Sequence, residues 1–342
     1  MDIGIYTFGE TTNDPLSGVP VAAGPRLRQL VDEIALADEA GLDVFGLGEH
    51  HRADYAISAP VVVLAAAAMR TKRIKLTSAV TVLSSDDPVR VFQQFTTLDL
   101  LSSGRAEIMA GRGSFIESFP LFGQDLDDYD SLFSQNLDLL LRLRASERVS
   151  WPGGHRAAFH NLGIYPRPER EIPLWIAVGG TPASVARAGA LGLPLAIAII
   201  GGEPVRFAPL ANLYRESGRR AAQPPERLKI GINVHGFIAD TSQEAAEAMW
   251  PPYRDVMTRI GRERGWPPAS RGQFDAGVAP GGHLFAGSPQ QVIDKILILH
   301  EQFRNDRFLM QMSLGPMPTK VLMRSIELLG TVVAPAVRKA LA

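Results

Sequence analysis

Eight short apolar segments alternate along this chain with stretches of helical period, and that alternation commits it to a parallel sheet. Parallel neighbours cannot be joined by a tight turn; each needs a crossover, which a helix supplies. The segments are Asp2 to Phe8, Leu42 to Gly48, Lys75 to Val82, Glu107 to Gly113, Pro173 to Gly180, Leu193 to Ile200, Leu228 to Ala239 and Arg307 to Leu314. Between them, Leu27, Leu30, Val31 and Ile34, then Phe92, Phe95, Leu98 and Leu101, recur at three and four residues, as one face of a helix requires. Eight such units predict an α/β fold, a (β/α)8 TIM barrel with insertions, since the 342 residues exceed the barrel's usual size of about 250. The surplus falls in Ser150 to Arg170, rich in glycine, proline and aromatics, and in Gly265 to Gly287, which reads either as a lid over the mouth or as a plain disordered connection. Residues 1–342 read as one domain.

In such barrels chemistry sits where the strands end, because the loops there surround one crevice. Polar groups gather at those ends: His50 and His51, Ser84 to Asp87, and Arg112 with Ser114. Residues Glu49-His50-His51 suggest metal ligands, but adjacent strand residues point to opposite faces, and no second group of ligand-like spacing accompanies them. One histidine at the mouth, His50, is the better reading, as an acid or base that titrates near neutrality; His235 reads as structural. The run GRGSFI, Gly111 to Ile116, lacks the third glycine of a dinucleotide fingerprint. It still offers Arg112 between two glycines at a strand end, suited to an oxyanion. VGGTPAS, Val178 to Ser184, has the same character, with Gly179 and Gly180 allowing close approach and Thr181-Pro182 opening a helix whose N-H groups and dipole favour an anion. The two loops in one mouth make a phosphate site.

Composition excludes several classes. A formal net charge of -1 gives no handle for nucleic acid, and the absence of cysteine removes disulfides, thiolate metal sites and cysteine nucleophiles. The longest apolar run, Leu191 to Ile200, is broken by Gly192 and Pro194 and is too short for a bilayer. With a strand pattern starting at Asp2 and no leader, the expectation is a soluble, cytoplasmic protein without membrane partners. Four consecutive alanines between Val61 and Met69 permit close helix packing, either on the chain's own sheet or against a second subunit.

The segments GEHH, TSAVTVLSSDDPVRVFQQFTTLDLLSSGRAEIMAGRG and PLWIAVGGTPASVARAGALGLPLA resemble the bacterial luciferase-like family of flavin-dependent monooxygenases. That resemblance runs through nearly the whole chain. It implies a (β/α)8 barrel with reduced FMN, or in one branch a deazaflavin, at the strand C-termini. By position His50 matches the family's active-site histidine, and Ala79-Val80, after Ser78, the place of a non-proline cis peptide beside the flavin ring. Arg112, Thr181 and Ser184 match the phosphate contacts, and Val178 the apolar wall of the ring. The family's cysteine and phosphate-loop glutamate are replaced by Gly111 and Gly180, so nothing about light emission carries over. The expected activity is monooxygenation of a small organic substrate by oxygen and reduced FMN from a separate flavin reductase, in a homodimer. Deazaflavin hydride transfer and non-catalytic flavin binding are the alternatives.

Overall fold

The computed structural model describes residues 1–13, 18–113 and 115–342. Ser114, grouped above with Arg112, and residues 14–17 of the first long loop lie outside the described residues. The strands are β1 (Asp2–Thr7), β2 (Val44–Leu47), β3 (Lys75–Ser78), β4 (Thr81–Val82), β5 (Ala106–Gly111), β6 (Arg148–Trp151), β7 (Phe159–Gly163), β8 (Leu174–Val178), β9 (Leu195–Ile199), β10 (Ile230–Ile238), β11 (Leu284–Gly287) and β12 (Arg307–Gln311). The helices are α1 (Ala23–Glu39), α2 (Pro60–Ala68), α3 (Pro88–Leu101), α4 (Ser118–Leu121), α5 (Tyr129–Ala145), α6 (Pro182–Ala190), α7 (Ala208–Arg220), α8 (Ser242–Arg264), α9 (Arg271–Val278), α10 (Pro289–Phe303), α11 (Thr319–Leu328) and α12 (Ala334–Ala340).

Parallel pairing runs β1, β2, β3 with β4, β5, β8, β9, β10, β12 and back to β1, which closes an eight-stranded (β/α)8 barrel. All eight expected strands are present. The third is split after Ser78, where the peptide joining Ala79 and Val80 is cis, before β4 resumes pairing with β5. Both insertions carry structure. The first holds the antiparallel pair β6 and β7. The second is not a disordered connection: a capping box between Ser270 and Gln273 starts α9, and β11 adds to β10 outside the closed ring. The C-terminal helical stretch is divided into α11 and α12 by a π-helical turn at Leu329–Val333. Pro335, in the first turn of α12, lacks an N-H to donate back into the preceding turn.

The barrel interior is layered because every second strand residue points inward. Near the strand N-termini, Arg307 on β12 pairs with Glu107 on β5 at 2.6 and 3.0 Å and with Asp2 at 2.9 Å, its guanidinium lying 4.2 Å from the Trp175 ring centre. Met109, Trp175, Ala196 and Leu309 join one buried cluster with Tyr6 and Ala79 above that ion pair. Toward the C-terminal mouth the inward positions become small or polar, with Ala177, Ala198, Asn233, His235 and Gln311 lining open space. A filled bottom under an unfilled top puts the cavity at the strand ends.

Candidate active site

Strand β2 stops at Leu47, so Glu49, His50 and His51 belong to a loop and the strand alternation expected to part the two histidines does not apply. Both line one cleft of about 400 Å³. The carboxylate of Glu49 holds His51 Nε2 at 2.8 Å and accepts the Val82 N-H at 3.1 Å, which fixes that ring and the start of the next loop. His50 instead lies among aromatic rings, 4.5 Å from Phe8, 4.4 Å from Tyr55 and 5.1 Å from Phe115 between centres. Burial there penalises the imidazolium and lowers its pKa to about 4, against an opposing pull from Asp54. Neutral at pH 7, His50 is therefore not a ready store of a proton. Its Nε2 is buried without a protein partner, so it offers one hydrogen bond, given or accepted, to a ligand. Among the described residues no three His, Cys, Asp or Glu side chains are grouped to hold a metal ion.

The middle of the cleft is apolar. Ala79, Val80, Val82, Ala177 and Val178 line it, joined by Gly111 and Gly179. At Gly111 a Cβ would lie 2.9 Å from Val80 Cγ2, so only glycine lets the Val80 side chain stay where it is. Ser78, expected at the cofactor, is not among the lining residues. Its hydroxyl donates to Met109 O and accepts Met109 N-H, each at 3.0 Å, and so ties β3 to β5.

At one end stand Arg112, Gly113, Tyr129 and Thr181. The Arg112 guanidinium pairs with Asp130, lies 5.1 Å from the centre of the Tyr129 ring, and donates to Thr181 Oγ1 at 3.4 Å. Tyr129 in turn donates to Gly113 O at 3.0 Å. Thr181 precedes α6, yet its side chain makes no capping bond. Asp87 before α3 behaves differently, accepting Val89 N-H at 2.8 Å and Arg90 N-H at 3.1 Å. The α6 end thus keeps its positive pole uncapped beside a guanidinium, an arrangement that suits a phosphate. Gly180 gives the loop its turn with φ of +125°, but neither it nor Ser184 lines the cleft; the Ser184 N-H is taken by Thr181 O at 3.1 Å.

Sequence reasoning passed over the aromatic collar and the polar inner strand residues. His235, read as structural, lines the cleft, as do Asn233 on its own strand and Gln311 on β12. Alternation was their signal: polar residues at every second position of a buried strand face the barrel axis. Arg52 was also missed; it binds Glu117 and Glu263 at 2.5 Å each and lies 4.6 Å from the Phe115 ring centre, fastening the loop after β5 and the end of α8 over the mouth.

Fold and site define a barrel enzyme whose mouth is shaped for a flavin-type cofactor: an anion cradle, an apolar slot and a neutral histidine in one cleft. The chain belongs to the luciferase-like monooxygenase family, whose family model matches residues 1–305, and is an oxidoreductase. It is similar to 4-hydroxyprotoasukamycin monooxygenase of Streptomyces nodosus subsp. asukaensis, 26% identical over 317 residues that cover 87% of this chain and 83% of that protein. It is also similar to F420-dependent glucose-6-phosphate dehydrogenase of Kineococcus radiotolerans, 31% identical over 238 residues, 66% of this chain and 68% of that one. Among solved structures, the oxygenating constituent of 3,6-diketocamphane monooxygenase from Pseudomonas putida, in complex with FMN, shares the fold with a TM-score of 0.77 at 20% identity, covering 98% of each chain.

Proposed function

We infer that this protein is a flavin-dependent monooxygenase in which reduced FMN, delivered by a separate reductase, and molecular oxygen oxidise a small organic substrate. The observation that carries this reading is the uncapped start of α6 with Thr181 turned to Arg112, next to an apolar slot whose edge holds the unpartnered Nε2 of His50. Those residues fit FMN: Arg112, Gly113, Thr181 and the α6 N-terminus would take its phosphate, Val80 and Val178 would flank its ring, and Gly111 and Gly179 would let it approach the backbone. When bound, reduced FMN supplies the electrons that activate oxygen. The protein's share is to orient the ring, to keep water out with the Phe8, Tyr55 and Phe115 collar, and to give or accept one hydrogen bond at His50 Nε2. The monooxygenase relative, matched over most of both chains, supports the same reading.

The F420-dependent relative favours a specific rival, hydride transfer by a deazaflavin in the same cleft. Anaerobic and aerobic incubations with reduced FMN, and separately with reduced F420, distinguish the two. Product formed only with reduced FMN and oxygen supports monooxygenation; product formed from reduced F420 without oxygen sinks it. Self-association as a homodimer is supported by Val62 and Met69, 69% and 72% exposed on and just after the α2 helix. Sedimentation of wild type and Val62→Glu tests that: a wild-type monomer would end the proposal.

A further inference from the structure

Beyond the cofactor cleft the mouth opens into a larger chamber of about 730 Å³, within the range that accepts a drug-sized ligand. Phe8, Phe115, His235 and Gln311 border both spaces. One wall is α8, where Tyr253, Val256, Met257 and Ile260 recur at three, four and seven residues and so form a single apolar face turned to the chamber. Trp266, from the insertion after α8, adds an indole. Among the described residues the formal charges on this lining are Glu203 and Arg264, of opposite sign. His235 and His283, which also line it, are held neutral by burial, with pKa values lowered to about 3 and about 4. Nothing in such walls selects an ion, and most of them favour hydrocarbon.

The polar features lie at the junction with the cleft. His235 on β10 and Gln311 on β12 are register partners on adjacent parallel strands, so their side chains stand next to one another on the inner face. Gln311 Nε2 donates to Glu10 Oε1 at 3.1 Å and to Ser313 O at 3.2 Å. The carbonyl of Ser313 can only accept, and this sets the amide orientation: Gln311 Oε1 is the atom left over, an acceptor, buried and without a partner. The His235 Nδ1 is likewise buried with no partner at hydrogen-bond distance, and the Gln311 amide faces that ring closely enough to raise its pKa against the effect of burial, so the two groups converge on one point. A ligand group that gives a hydrogen bond to Gln311 and exchanges one with His235 satisfies both, and a hydroxyl does so in one atom.

We propose that the chamber takes a neutral, largely apolar acceptor bearing a hydroxyl, a phenol or polycyclic alcohol, anchored by that hydroxyl on Gln311 and His235 and by its apolar body on α8 and Trp266. This rests on the reading that the adjoining cleft holds FMN, and it names the class of substrate for that site. The anchoring places the ring carbons next to the hydroxyl at the boundary with the cofactor cleft.

Calorimetric titration of the full chain with 2-naphthol, with its methyl ether and with glucose 6-phosphate tests the proposal, in the absence and presence of FMN. 2-Naphthol binds roughly threefold to tenfold more tightly than the ether, which lacks the donor, and with FMN bound the sugar phosphate binds weakest. His235→Phe narrows the preference for the hydroxyl. Met257→Trp, which fills the chamber, weakens both aromatic ligands at least tenfold without changing FMN affinity; Trp266→Ala, at a half-exposed position, weakens both as well and serves where the first variant does not fold. Equal binding of naphthol and ether, a preference untouched in His235→Phe, tighter binding of the sugar phosphate with FMN bound, or aromatic affinity unmoved by the chamber variants overturns the proposal. A protein that keeps the naphthol preference but binds no FMN sinks the cofactor reading alone. One that binds FMN but shows no preference sinks this inference alone.

Discussion

Arg112, at the end of the fourth barrel strand, donates to the hydroxyl of Thr181 at 3.4 Å, and Thr181 leaves the helix it precedes without a side-chain cap. The two residues follow adjacent barrel strands, β5 and β8, and meet at one end of the cleft: the threonine does not cap its helix, and the arginine, paired with Asp130, lies over Tyr129.

A first consequence concerns stability. Asp87→Ala removes a working cap and should cost about 1 kcal/mol, as cap deletions do. Thr181→Val removes none and should stay within roughly 0.5 kcal/mol, while weakening FMN. Urea unfolding of the two variants separates the roles; an equal loss in Thr181→Val would show that its hydroxyl does cap the helix in solution.

His50 leads to a pH effect. Its folded pKa of about 4 lies below the unfolded value, so the unfolded chain takes up the proton first. The neutral ring's contribution is fully present above about pH 6.5 and drains as pH falls toward 4, at roughly 1.4 kcal/mol per pH unit. Asp86 acts in the opposite sense, since burial and the charge of Glu49 raise its pKa to about 6 and its buried acid form gains as pH falls. Asp86 is common to wild type and His50→Leu and cancels between them. Between pH 6 and 4.5 the variant's stability curve should be flatter by about the slope of one histidine; coincident slopes would mean that the ring is charged in the folded protein.

The buried pair of Arg307 and Glu107 sits at the far end of the barrel. Glu107→Ala leaves a guanidinium that is 2% exposed with Asp2 as its one carboxylate partner among the described residues, so a loss of about 3 kcal/mol is expected. Flavin affinity should not change, because no residue of that pair lines the cleft. Parallel denaturation and flavin titration check both parts, and a fall in flavin affinity without a fall in stability would contradict them.

The barrel was legible because eight apolar strands and the helical stripes between them repeat one message, and a closed parallel sheet is where both patterns can be buried. His50, Arg112 and Thr181 were legible as polar residues at strand ends beside glycines. Other parts depend on where backbone elements stop. His50 and His51 share a cleft only because β2 ends at Leu47, and Ser78 leaves the cleft because its hydroxyl serves Met109. Alternation showed that His235 and Gln311 face inward, but their shared position comes from being register partners on strands more than seventy residues apart, which spacing along the chain does not reveal. The insertion after α8 looked like loop because glycine and proline dominate it, yet strand pairing to β10 and the Ser270 capping box order it.

The most direct measurement of the central claim, that this cleft holds FMN by its phosphate, is anaerobic calorimetric titration of wild type and Arg112→Ala with reduced FMN and with reduced riboflavin. A charge-assisted hydrogen bond contributes about 1.5 to 3 kcal/mol, so Arg112→Ala should weaken FMN by roughly one to two powers of ten. Riboflavin, which has no phosphate, should bind wild type and variant alike. Equal losses for the two flavins, or no loss for FMN, would make Arg112 a structural arginine and place the phosphate elsewhere.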